Sequence, residues 1–213
     1  MRVTTRMLLA LTLSVAALSA RADVKAPDQL IRETAAEVIA AVKADKDLRG
    51  GNQKKLLALV EAKILPHFDF EKMTRLAVGR PWRTATAEQR DALVTQFRTL
   101  LVRTYTAAFS RYENQAVDVK APLKSDDSDN EVTVDTSITK PGSPAIAVNY
   151  EMERKPDGWK VFDLTIEGAS LIASYRGTFQ EQVQQGGIDG LIKFLSDKNR
   201  ANVGQSLKKA ESR

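Results

Sequence analysis

The chain has 213 residues, 43% of them hydrophobic and 6% aromatic, with one histidine and no cysteine. That length supports one domain with a sizeable core, and the missing cysteine excludes disulfides, thiolate metal sites and a lipid-modified cysteine anchor. The formal charge of +5 includes Arg2, Arg6 and Arg21 of an apparent leader; without those three it is +2, which gives no support for nucleic-acid binding.

In chain order, Arg2 and Arg6 precede an apolar run, Met7–Ser19, too short to span a bilayer, and Ala20-Arg21-Ala22 fits a small-x-small cleavage site. Residues 1–22 therefore read as a bacterial export signal, 23–198 as a single α+β domain, and 199–213 as a flexible polar tail. The destination is the periplasm or the medium. Pro27–Asp45 reads as a helix with Leu30, Ala35, Val38, Ile39 and Val42 on one stripe. Gly50-Gly51 breaks it, and Asn52 caps a second helix that Pro66 stops. Asp69 caps a short third, with Phe70, Met73 and Leu76 inward, ending at Gly79.

After a Gly79–Arg83 loop, Thr86-Ala87-Glu88-Gln89 forms a capping box that opens the longest helix, about 87–112. Its stripe includes Leu93, Phe97, Leu101, Tyr105 and Phe109. The period then changes from 3.6 to 2. Strands are expected over 116–123, 131–138, 146–152 and 159–167, joined by short turns that include Lys155-Pro156-Asp157-Gly158. The last strand puts Trp159 and Val161 on one face and Phe162, Leu164 and Ile166 on the other. A one-glycine corner at Gly168 leads to a helix with Leu171, Ile172, Tyr175, Phe179 and Val183 on its stripe, and Gly186-Gly187 divides it from a final helix. Helices, then a meander of about four antiparallel strands, then helices is an α+β pattern.

The chemical inventory excludes most catalysis. His67 beside Pro66 reads as a surface or half-buried structural residue, and no Gly-x-Ser-x-Gly elbow accompanies it. No P-loop or GxGxxG is present, and Asp126, Asp127 and Asp129 lack the glycine and glutamate of a calcium loop. No metal ligands, cofactor or catalytic residues are expected. Asp163, in a strand apolar on both faces, needs a partner, and Arg176 is the one expected. Arg80 and Arg83 flank Trp82 and can make either ordinary loop packing or a cationic mouth suited to a phosphate.

The run PHFDFEKMTRLAVGRPWRTATAEQRDALVTQFRTLLVRTYTAAFSRY and the later run WKVFDLTIEGASLIASYRGTFQEQVQQGGIDGLIKFL resemble the MlaC family of periplasmic phospholipid-binding proteins, the toluene-tolerance auxiliary family. The sharpest parts are Asp69-Phe70, Gly79-x-x-Trp82-Arg83 and Tyr175-Arg176. The resemblance implies a twisted antiparallel sheet wrapped by N-terminal and C-terminal helices around an apolar lipid cavity. It implies a carrier without enzymatic activity, taking phospholipid between an outer-membrane lipoprotein–porin complex and an inner-membrane ABC transporter. Phospholipid is then cargo, and nucleic acid is no partner.

The sheet and helix faces expected to converge on that cavity supply Val134, Ile138, Val148, Tyr150, Phe162, Leu164 and Ile166 from strands. From helices they supply Leu101, Tyr105, Phe109, Leu171, Tyr175 and Phe179. Arg80, Trp82 and Arg83 are expected at the mouth. Three other classes stay open on sequence: a carrier of another lipid such as a hopanoid, a secreted α+β hydrolase with a polar pocket, and an interaction module with a solid core.

Overall fold

A computed structural model describes residues 25–109, 115–122 and 130–211, with side chains excepted at 107–109 and 202–211. The expected leader, the expected 110–112 end of the long helix and most of the expected Lys124–Asn130 turn lie outside these residues. Six helices are present among them: α1 (Pro27–Ala44), α2 (Lys46–Arg49), α3 (Gln53–Lys63), α4 (Phe70–Val78), α5 (Ala87–Phe109) and α6 (Leu171–Glu211). Short 3-10 turns occupy Leu65–His67 and Arg80–Arg83.

The helix starts are fixed by side chains. Asn52 Oδ1 accepts from the Lys55 amide at 3.1 Å, and Asp69 Oδ1 accepts from the Lys72 amide at 2.8 Å. At the head of α5 the Gln89 amide donates to Thr86 Oγ1 and the Thr86 amide donates to Gln89 Oε1, the reciprocal bonds of a capping box. α5 spans 23 residues, about 35 Å. The backbone of α6 breaks at Gly187, where φ is 66° and ψ is −164°, so α6 is two arms folded against α5. Gln89 bonds Asp189 beside the break, and further along Asn199 Nδ2 donates to the Gln96 carbonyl at 2.9 Å.

The sheet is a five-stranded antiparallel meander of β1 (Ala116–Val119), β2 (Glu131–Thr139), β3 (Ile146–Lys155), β4 (Gly158–Ile166) and β5 (Ala169–Ser170). The strand beyond the four expected from sequence is two residues long. It follows the Glu167-Gly168 turn, where φ is 50° and 81°, the primed-turn signature of a tight hairpin. The rest of the edge of β4 that faces away from β3 is covered by the segment before α4: Phe68 bridges Val161, the Asp69 amide donates to the Val161 carbonyl, and Lys160 Nζ donates to the Pro66 carbonyl.

Three expectations change. β4 carries a bulge: Glu151 pairs Asp163 and Met152 pairs Val161, leaving Phe162 without a cross-strand partner. An extra residue resets the two-residue alternation, so Leu164 and Ile166 return to the face of Trp159 and Val161. Asp163 does not pair with Arg176. Its carboxylate accepts from the Leu164 and Ile172 amides and from Ser170 Oγ, at 2.8, 3.1 and 2.5 Å, whereas Arg176 Nε donates to the Leu76 carbonyl. Backbone and hydroxyl donors at the start of α6 meet the buried charge, so no cation is needed. Lastly, the backbone of α6 is helical to Glu211, and Asn199, the first residue of the expected tail, is buried against α5.

Candidate functional site

Alternation and register sort the sheet into two unlike faces. On one face Val117 and Val119 of β1 line up with Val132, Val134, Thr136 and Ile138 of β2. The row continues through Ile146, Val148, Tyr150 and Met152 of β3 to Trp159, Val161, Leu164 and Ile166 of β4. Its polar groups are the Thr136 and Tyr150 hydroxyls, the Trp159 indole and the exposed Arg154, which pairs with Trp159 at the end of β3. Thr136 Oγ1 donates to the Val148 carbonyl at 2.8 Å, and desolvation by burial pushes the Tyr150 phenol up.

The opposite face is polar and carries a charged network under α4. Lys72 Nζ reaches Glu131 at 2.5 Å and Glu153 at 3.3 Å, and Lys155 Nζ reaches Glu153 at 2.8 Å and Asp69 at 3.1 Å. The Lys72 ammonium sits 3.7 Å over the Phe162 ring. Lys72 is buried, and two carboxylates with an aromatic face are what keep its charge tolerable there.

Two cores follow from this asymmetry. The helical core joins Met73, Ala77, Val78, Trp82, Leu93, Phe97, Leu101, Ile172, Phe179 and Leu191 to the bulged Phe162. It contains an aromatic cluster in which Phe97 lies 5.1 Å from Tyr175 and 5.0 Å from Phe179. The Tyr105 phenol is hydrogen-bonded to Tyr175, and burial first, then the neighbouring Tyr175, pushes it up to about 12. The second core lies on the apolar sheet face, where Ile31 of α1 packs with Val119, Val134, Met152, Trp159 and Val161.

The expected lining residues therefore fall into two sets. Val134, Ile138, Val148, Tyr150, Leu164 and Ile166 share the apolar sheet face. Leu101, Tyr105, Phe162, Tyr175 and Phe179 belong to the helical core across the sheet. Leu171 is buried at the start of α6, and the Phe109 side chain lies outside the described residues. Trp82 is buried in the helical core with Arg90 stacked 5.6 Å over its ring, while Arg80 and Arg83 are exposed beside it. Sequence reasoning omitted Val117, Val119, Val132 and Met152 from this face; their strict two-residue alternation was the available signal.

Exposure varies along the apolar face. Val134, Met152 and Val161 are fully buried, Val148 is 6% exposed, and Ile146 at the far end of the β2–β3 hairpin is 45% exposed. A separate cleft of about 420 Å³ lies along α6, lined by Gln182, Gly190, Lys193, Phe194, Asp197 and Lys198. Its charged rim, with Lys193 paired to Asp197, suits water better than hydrocarbon. The described residues hold no group of three or more His, Asp or Glu able to take a metal ion, and none of their helices is long and apolar enough to cross a membrane.

Comparison with known proteins now gives the family, since the family described as MlaC protein matches residues 32–197. The chain belongs to the MlaC family. It is 23% identical over 169 residues to the intermembrane phospholipid transport system binding protein MlaC of Haemophilus influenzae, covering 78% of each chain. It is 24% identical over 164 residues to toluene tolerance protein ttg2D of Pseudomonas putida, covering 76% of this chain and 75% of that one. Among solved structures it is similar to a phospholipid-binding protein from Ralstonia solanacearum in complex with a phospholipid. That match has a TM-score of 0.78 and 36% identity, covering 84% of this chain and 99% of the other.

Proposed function

We propose that this MlaC-family protein is a periplasmic phospholipid carrier that holds acyl chains against the apolar face of its sheet. The observation that carries this reading is the asymmetry of the sheet. One face is polar and carries the ion-pair network of Lys72, Glu131, Glu153 and Lys155, and the other presents Val, Ile, Leu, Met and Tyr across four strands with a partly exposed end. The solved relative with a bound phospholipid supports the choice of cargo. Two long acyl chains carry a gross transfer free energy on the order of 20 kcal/mol at ~0.8 kcal/mol per methylene, so a carrier needs an apolar enclosure of this kind. No covalent step is required, and the function is transport without catalysis.

The pathway we assign runs between an outer-membrane lipoprotein–porin complex and an inner-membrane ABC transporter, in line with the transport-system name of the Haemophilus relative. Release must be driven by a partner that favours a weaker-binding conformation, because tight binding alone moves nothing.

Native mass spectrometry of the mature protein, purified from periplasm without detergent, tests the cargo. The expected result is a stoichiometric added mass that extracts as diacyl phospholipid. A hopanoid mass would keep the fold and replace the cargo. A clean apo mass with no uptake of labelled phospholipid from vesicles would overturn the carrier reading.

A further inference from the structure

Arginines from three helices and a turn gather around the C-terminal end of α4. Arg176 of α6 donates from Nε to the Leu76 carbonyl at 3.3 Å, beside Arg75 and one turn before Arg80. Arg90 of α5 stacks on Trp82 and donates to the Trp82 and Arg83 carbonyls at 3.2 and 3.3 Å. Arg90 and Arg176 therefore satisfy backbone carbonyls of neighbouring turns, which is a structural role. Arg75, Arg80 and Arg83 are exposed, and among the described residues their side chains make no hydrogen bond or ion pair.

Nearby carboxylates do not neutralise these charges. Glu71, Glu88 and Asp91 are exposed on α4 and α5, and among the described residues none of them pairs with the five arginines. Asp189 is engaged by Gln89 Nε2 at 2.8 Å. The lysines under α4 differ, since Lys72 and Lys155 each hold two carboxylates. The patch also lacks an apolar centre. Trp82 is turned into the helical core, Leu76 and Pro81 are half-buried, and Ile146, the exposed large hydrophobic residue among the described ones, belongs to β3. A stable protein interface is built on an apolar core with buried anchors, whereas attraction to a charged bilayer surface needs neither.

We propose that the arginines around the end of α4 dock the protein on a bilayer surface of anionic phosphate head groups, without inserting into it. Guanidinium forks match phosphate oxygens in pairs. Each basic side chain held near an anionic bilayer strengthens attachment roughly fivefold, and salt screens the attraction. Arg75, Arg80 and Arg83 supply the free charges, and Arg90 and Arg176, held at carbonyls, add fixed ones. Such docking is weak and reversible. It is separate from whatever occupies the sheet face, so it does not depend on the carrier reading.

Sedimentation of the mature protein with phosphatidylglycerol or phosphatidylcholine vesicles tests the docking. The parent should pellet with phosphatidylglycerol at low salt, and with neither lipid at about 1 M salt. The triple variant Arg75→Gln, Arg80→Gln, Arg83→Gln should melt with the parent and bind at least about tenfold more weakly. Lys43→Gln, Lys46→Gln, Lys54→Gln removes the same charge from exposed positions on α1, α2 and α3 and should stay within about threefold of the parent. If the arginine triple melts low, Arg80→Gln with Arg83→Gln carries the same comparison against two of the lysines. A parent that ignores phosphatidylglycerol vesicles would overturn the docking, as would equal losses in the two triple variants or no loss in the arginine one. Attachment to immobilised polyglutamate with none to vesicles would also overturn it and give the patch to an acidic protein.

Discussion

Asp163 is a buried carboxylate whose counter-charge is replaced by hydrogen bonds. Both the Leu164 and Ile172 amides reach its Oδ1, and Ser170 Oγ reaches its Oδ2, so one side chain ties the bulge in β4 to β5 and to the first turn of α6. Asp163→Asn keeps an acceptor for the two amides but loses the charge and inverts the bond to Ser170. It should cost about 1–2 kcal/mol. A urea midpoint equal to the parent's would refute this. Glu151, directly across from Asp163, is placed the other way. Burial first, then the charges of Asp163 and Glu131, hold its carboxyl above the ordinary 4.5, with Lys72 opposing. A raised carboxyl favours the fold fully below the unfolded value and loses that contribution as pH rises through the folded one. Glu151→Gln should therefore melt above the parent at pH 7 and level with it well below pH 4.5; a constant difference across the range would refute the assignment.

At the scale of elements, the bulge and the α6 break decide what packs where. The strand pattern from Trp159 to Ile166 was readable as β4, but its phase was not. Apolar side chains at 161, 162, 164 and 166 are compatible with two alternations, and only the pairing of Glu151 with Asp163 against Met152 with Val161 selects one. The same ambiguity put Phe162 among the sheet lining, although it anchors the helical core. Caps at Asn52, Asp69 and Thr86 were legible because their bonds are local; the Asp163 cluster and the Asn199 anchorage were not, because their partners lie on other elements. The break at Gly187 was legible too. Its φ of 66° and ψ of −164° belong to a region that residues with a Cβ avoid, and no atom lies within 4 Å of where that Cβ would sit. The penalty in Gly187→Ala is then backbone strain alone, about 1–3 kcal/mol. Chemical denaturation should show it, together with weaker protection of both α6 arms in hydrogen exchange. An unchanged midpoint would mean that the two arms tolerate a different junction.

For the whole molecule, the division between the helical core and the apolar sheet face predicts where lipid is felt. The helical core is filled by its own side chains: Phe97, Phe179, Leu93, Leu191 and Leu195 are fully buried without any ligand. The apolar sheet face is not, since Ile138, Tyr150, Leu164 and Ile166 remain half-buried and Ile146 is exposed. A ligand that binds the folded state alone stabilises it by mass action, about 2.7 kcal/mol when free ligand is a hundredfold above its Kd. Extracting lipid should therefore lower the melting temperature, and reloading with phospholipid should restore it. Exchange should report the change unevenly. Amides of β2, β3 and the 164–166 end of β4 should gain protection on loading, while those of α5 and the first arm of α6 should change little below the global unfolding limit. Uniform protection would mean that lipid only raises global stability. Protection confined to α5 and α6 would move the cargo into the helical layer, to Leu101, Tyr105, Tyr175 and Phe179. The sheet face would then be a surface for another partner, and its half-buried residues would need a different cause.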